Sequence, residues 1–167
     1  MVSLIVNGHD GYSFGHGNQR IEMIKENGDT IVLPKSSEYP LDARKTAGAS
    51  LPDKSFVICG GHVWFLGKAT SECYKLTNGQ WELFGKLQTA RWEHAASPIG
   101  HAIWFTGGRA DGYVIGDTLP TTEILNSDGT VTWGPILPAI RYNHCQATYE
   151  DTTLIIGGKH PFNHYHS

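Results

Sequence analysis

The chain has 167 residues and a mass of 18.4 kDa, enough for one domain with a substantial apolar core. Thirteen basic against sixteen acidic residues give a net charge of −3, so there is no basic excess to expect nucleic acid or an anionic membrane as partner. Hydrophobic residues at 40%, charged residues at 17% and 20 glycines exclude a disordered or coiled-coil chain; no apolar run approaches the ~20 residues of a membrane helix, and Val2 to Val6 is too short for a signal-peptide core.

Along the chain the first apolar, β-rich run is Leu4-Ile5-Val6, closed by Asn7-Gly8 and followed by a polar loop with His9 and Asp10 that reaches Gln19. Glu22-Met23-Ile24 then leads to the turn dipeptide Asn27-Gly28 and to Ile31-Val32-Leu33-Pro34. Arg44 precedes the small-residue stretch Ala47-Gly48-Ala49-Ser50, and Phe56-Val57-Ile58-Cys59 ends in Gly60-Gly61. A loop carrying His62 follows, then Glu72-Cys73-Tyr74-Lys75-Leu76, the turn Asn78-Gly79, and Trp81.

The same order returns twice. Arg91-Trp92-Glu93-His94 precedes Ala95-Ala96-Ser97, and Ile103-Trp104-Phe105-Thr106 ends in Gly107-Gly108, with Arg109 and Asp111 in the loop beyond. Glu123-Ile124-Leu125, Asp128-Gly129 and Trp133 complete that unit; Arg141-Tyr142-Asn143-His144, Cys145-Gln146-Ala147 and Leu154-Ile155-Ile156-Gly157-Gly158 begin another. Steps from Asn7 to Gly60, Gly107 and Gly157 are 53, 47 and 50 residues, which is the period of a repeat protein. Arg44, Arg91 and Arg141 each stand 16 positions before the first glycine, so a register without gaps is expected. The turn dipeptides favour φ > 0 and predict tight hairpins, and no helical period separates the strands.

Glycine pair, apolar strand, tryptophan, then arginine before the next small-residue strand: this pattern resembles the kelch repeat over almost the whole chain. The resemblance implies an all-β, kelch-type β-propeller segment of about three four-stranded antiparallel blades. One repeat domain spans 1–167, with units near 1–43, 44–90 and 91–140 and a partial unit 141–167. Trp81 and Trp133 are expected as buried wedges between blades. Three units do not close a ring, so two copies of the chain would complete six blades as a homodimer, or the chain would be part of a longer propeller.

In a four-stranded antiparallel blade, the arginine turns and the loops after the glycine pairs emerge at one end. The resemblance places a ligand mouth there, lined by Arg44, Thr46, Arg91, Glu93, His94, Arg141, Asn143, His144, His62 and Arg109. An arginine repeated in every unit also suits a second role, as a scaffold donor to the carbonyls of the next blade. The partner expected is a protein, an acidic peptide or a small molecule, with no cofactor and no metal. A sugar-processing or oxidase-type enzyme using Arg91, Glu93 and Arg141, and a self-assembling structural protein, are the alternatives. No nucleophile motif is present, and Cys73 and Tyr74, being neighbours on a strand, point to opposite faces and cannot together form an oxidase cross-link. Three cysteines leave at least one unpaired, and buried free thiols are expected for Cys59, Cys73 and Cys145.

Overall fold

The computed structural model describes residues 2–6, 21–25, 27–111 and 115–161. Asn7-Gly8, His9, Asp10 and the loop to Gln19, together with His164 and His166, lie outside the described residues.

In chain order the strands are β1 (Val2–Val6), β2 (Ile21–Lys25), β3 (Thr30–Val32), β4 (Ala43–Arg44), β5 (Ala47–Ser50), β6 (Phe56–Cys59), β7 (His62–Val63), β8 (Lys68–Ala69), β9 (Glu72–Thr77), β10 (Gln80–Lys86), β11 (Ala95–Ile99), β12 (Ala102–Thr106), β13 (Thr122–Asn126), β14 (Val131–Trp133), β15 (Cys145–Tyr149) and β16 (Thr152–Ile156). Among the described residues all pairings are antiparallel and no sheet closes on itself. Two sheets have four strands, β5-β6-β9-β10 and β11-β12-β13-β14; β1-β2-β3 and β15-β16 are shorter, and β4-β7-β8 is a small lateral sheet. Among the described residues no helix is long and apolar enough to cross a membrane.

The turn chemistry explains the hairpins. Asn78 and Gly79 both take positive φ and join β9 to β10 as a two-residue turn. Between β13 and β14 only Gly129 does so, and Asp128 Oδ1 accepts the Thr130 amide at 2.9 Å to fix the longer loop.

Strand alternation builds two cores on the two faces of β6. Val57 and Cys59 join Cys73, Leu87, Ile103, Phe105 and Leu125 between the two four-stranded sheets. Ile58 and Phe56 face the other way, toward Tyr39, Ala43, Val63, Tyr74 and Trp81, where the Tyr39 ring meets Tyr74 and Trp81 edge-on at 5.7 and 5.2 Å. The last sheet is held to the third by Gln146, whose Nε2 donates to Ser97 Oγ and to the Trp104 carbonyl, and by Thr148 donating to the Pro98 carbonyl.

Several expectations change. Cys59 and Cys73 stand directly opposite on β6 and β9 and form a disulfide, and Cys145 is free but exposed, so no buried free thiol is found. Trp133 is 52% exposed on the edge strand β14 and Trp81 is half-buried, its Nε1 donating to the Ser37 carbonyl; the fully enclosed indole is Trp92.

The gap-free register also fails by one residue. Ala47 pairs with Cys59 and Ala95 with Thr106, which sets Lys45 level with Glu93, Thr46 with His94, and Ala43 with Arg91. The connection Leu51 to Ser55 is longer than the two-residue Gly100-His101 turn, and Asp53 Oδ1 caps it by accepting the Ser55 amide at 3.0 Å. Arg44 therefore stands level with Trp92 and Tyr142, not with Arg91 and Arg141.

Candidate functional site

The turns that enter β5, β11 and β15 lie against the segments that follow the glycine pairs. Arg44 pairs with His62, Trp92 with Arg109 and Tyr142 with Lys159, so the two sets of candidate residues do meet at one end of the sheets. The backbone ties these turns to one another: Glu93 N donates to the Lys45 carbonyl at 3.2 Å and Asn143 N to the Glu93 carbonyl at 2.9 Å. Lys45, Glu93 and Asn143 all sit at positive φ, near 50–60°. Left-handed backbone at three non-glycine residues is strain that the surrounding turns impose.

The glycine pairs are required by close approach. Gly61 N donates to the Arg91 carbonyl at 2.8 Å and Gly108 N to the Arg141 carbonyl at 2.9 Å, so each pair grips the turn of the following unit. A Cβ on Gly60 would fall 2.5 Å from the Arg91 carbonyl oxygen, and one on Gly107 would fall 2.6 Å from that of Arg141.

Arg91 fills the scaffold role expected of a repeated arginine. It is fully buried; Nη1 donates to the carbonyls of Gly107 (2.8 Å) and Thr121 (3.1 Å), and Nη2 to Thr121 Oγ1 (3.1 Å) and Glu123 Oε1 (2.5 Å). The constant spacing of arginine and glycine is thus a hydrogen bond, repeated by Arg141 Nη1 to the Gly157 carbonyl at 3.0 Å. Glu123 also accepts the amides of Gln88 and Thr89, which anchors the turn before Arg91. In the preceding unit Ala43 replaces the arginine and Tyr74 stands level with Glu123, so an apolar contact takes the place of the ion pair.

The three histidines of the expected site are buried. Burial, with Arg91 beside it, holds His94 well below the ordinary imidazole range; burial and Arg141 hold His144 down at about 4; burial and Arg44 lower His62. His144 Nε2 meets Thr106 Oγ1 at 2.8 Å, so His144 belongs to the joint between the third and last sheets. Thr46 lies against Gly61.

At this end of the sheets a set of charges stands around Trp92. Lys45 Nζ pairs with Glu93 Oε1 and lies 4.6 Å from the Trp92 ring centroid; the Arg109 guanidinium is 5.2 Å from that ring and 5.2 Å from Tyr142. Arg109 Nη1 is 4.0 Å from Glu93 Oε2, and the His62 ring is 5.2 Å from Trp92. Arg44 stacks on Trp64 at 4.8 Å. Lys45 has a 44% exposed side chain, Asn143 and Lys159 are exposed, and the Glu93 side chain is only 4% exposed. The sequence places Lys45 in the segment Arg44-Lys45-Thr46 at this end but does not single it out as a ligand residue, because the one-residue insertion hides that it stands level with Glu93 and Asn143.

Lys45 and Arg109 thus flank the Glu93 carboxylate, with Arg44 and Lys159 on the adjoining paired segments, in a chain whose total charge is −3. Asp111 Oδ1 is engaged by the Ala69 amide at 2.5 Å and Glu93 by Lys45, so neither acid is unoccupied. Among the described residues no three His, Cys, Asp or Glu side chains gather as a metal ion would need. Cys73 is bonded to Cys59, and Tyr74 donates its hydroxyl to Glu72 at 2.9 Å.

The chain matches no protein-family model, and no curated protein matches it.

Proposed function

We propose that this chain is a segment of a kelch-type propeller, each four-stranded antiparallel sheet being one blade, and that it works as a binding module. Its mouth takes a carboxylate-bearing segment of a protein, or a small acidic ligand. The observation that carries this reading is the placement of Lys45 and Arg109 against the enclosed Trp92 ring, each beside the buried carboxylate of Glu93, with Lys45 reaching solvent.

Glu93 holds the two cations beside it while leaving the Lys45 side chain partly exposed, which preorganises positive charge at the surface at little further ordering cost. A guanidinium binds a carboxylate through two parallel donors, and an ammonium adds a third contact without angular demand. The function follows from the site, because propellers as a class carry many functions.

Selection from a random nonapeptide display library tests it. Clones recovered on the protein should be enriched in Asp and Glu, and a Lys45→Glu/Arg109→Glu variant should not retain them. Recovery of peptides with no acidic bias, or equal recovery by the variant, would refute the reading.

A further inference from the structure

Trp64, Phe65 and Leu66 put three large apolar side chains in succession on one short exposed turn, and Phe65 is 71% exposed. The backbone holds that turn in place. Gly67 takes φ +64°, and its amide donates to the carbonyls of Val63 (3.0 Å) and Trp64 (3.1 Å), while the Arg44 guanidinium lies 4.8 Å from the Trp64 ring centroid. A fixed, exposed apolar surface of this kind marks a place of contact.

Beside the turn lies a cavity of about 400 Å³, with Leu41, Val63, Phe65, Leu66, Ala90 and Asp111 in its lining. That is within the size range of small-ligand pockets and ample for one large side chain. Its rim carries two cations, Lys68 and Lys86, and two carboxylates, Glu72 and Asp111. Glu72 faces Lys86 at 3.5 Å and accepts the Tyr74 hydroxyl, and Asp111 accepts the Ala69 amide. The charges balance, so the cavity draws neither sign and suits an uncharged, apolar group.

The cavity and the charges at Trp92 lie along the same two segments. Trp92 and Arg109 form an antiparallel bridge, closed by two amide-to-carbonyl bonds of 2.9 and 2.8 Å. Two residues before Trp92 stands Ala90, and two residues after Arg109 stands Asp111; both line the cavity. Two residues of extended chain span about 7 Å, so that is the step along either segment from the cations to the cavity. An extended peptide has the same repeat, its side chains at i and i+2 projecting from one face.

We propose that the acidic segment received at Trp92 also carries a large apolar residue two positions from its carboxylate, and that this side chain enters the cavity against Phe65 and Leu66. The inference rests on the acid-binding reading of the mouth and narrows it to a peptide, because a small acid would leave the cavity empty. Lys45 and Arg109 orient the carboxylate. Burial of the apolar side chain adds about ten-fold in affinity for a leucine.

Fluorescence anisotropy with fluorescein-labelled Glu-Ala-Leu-Ala-Glu tests this, because its leucine lies two positions from a carboxylate in either direction. It should bind about ten-fold more tightly than Glu-Ala-Ala-Ala-Glu. Phe65→Ser/Leu66→Ser, confined to exposed side chains, should bring both peptides to one affinity. Gln-Ala-Leu-Ala-Gln should bind at least ten-fold more weakly than its glutamate counterpart. Equal affinity of the leucine and alanine peptides for the unaltered protein, or a leucine preference that survives the double substitution, would overturn the inference and leave the acid-binding mouth standing. Binding of neither glutamate peptide would remove both. A glutamine peptide as tight as the glutamate one would overturn the coupling of cavity to mouth.

Discussion

Arg91 Nη2 donates to Glu123 Oε1 at 2.5 Å, and neither side chain has any solvent exposure. Burial pulls the guanidinium pKa below its ordinary value while the adjacent carboxylate opposes that, so the pair is a charged joint inside the third sheet. Removing one partner strands the other in an apolar interior. Arg91→Met should therefore cost about 3–5 kcal/mol in urea unfolding, and Arg91→Met/Glu123→Leu should recover most of the loss. The unit with Ala43 and Tyr74 at the matching positions already shows an apolar solution. A double variant as unstable as the single one would contradict the account.

Gly100 and Gly107 separate two effects of glycine. Both have φ near +57°, but a Cβ on Gly100 meets nothing within 4 Å, whereas on Gly107 it meets the Arg141 carbonyl oxygen at 2.6 Å. Gly100→Ala should cost about 1 kcal/mol through backbone conformation alone. Gly107→Ala should cost roughly 2 kcal/mol more, because a backbone oxygen cannot step aside cheaply. Equal losses in chemical denaturation would show that the close approach is not needed.

Trp92 and Trp133 should respond oppositely to truncation. Trp92 is 2% exposed with Nε1 donating to the Ala110 carbonyl at 2.9 Å, so Trp92→Ala should cost about 3–5 kcal/mol. Trp133→Ala, on an exposed edge, should stay within about 1 kcal/mol. Urea midpoints of the two variants decide the matter, and a larger loss at Trp133 would reverse the assignment of the core.

Much of this was legible in the sequence. The glycine pairs, the Asn-Gly and Asp-Gly turns and the period near 50 correctly mark four antiparallel strands in each of two units, because each signal reports a local backbone requirement. The one-residue insertion between Ala47 and Cys59 was not legible, since Arg44 preserves the spacing to Gly60 by coincidence and only strand pairing reveals the slip. The disulfide was hidden for the same reason: Cys59 and Cys73 are 14 apart in sequence but directly opposite in register. Exposure of Trp133 depends on what packs beyond an edge strand, which a periodic pattern does not encode.

The disulfide closes a loop across two central strands. Cys59→Ala/Cys73→Ala should lower stability by about 3 kcal/mol, the loop-closure effect expected for a 14-residue separation. A change below about 1 kcal/mol in guanidinium unfolding would mean the bond constrains little.

Acid should destabilise the fold through its histidines. His94, His144 and His62 all have pKa values lowered in the folded state, chiefly by burial, so the unfolded chain binds more protons below its ordinary imidazole pKa near 6.5. Their contribution is intact at pH 7 and is lost as pH falls from about 6.5 toward about 4, where His144 itself takes up a proton. His144→Gln should flatten part of that slope in melting temperature against pH; an unchanged slope would remove His144 from the explanation.

The mouth is tested most directly by titrating hexaglutamate into the protein while following tryptophan fluorescence, because Lys45 and Arg109 lie on the Trp92 ring. A saturable change is expected at low salt, weakened as ionic strength rises and abolished in Lys45→Ala/Arg109→Ala with Trp92 still in place. A response of equal size in that variant, or no saturable response in the unaltered protein, would contradict an acid-binding mouth.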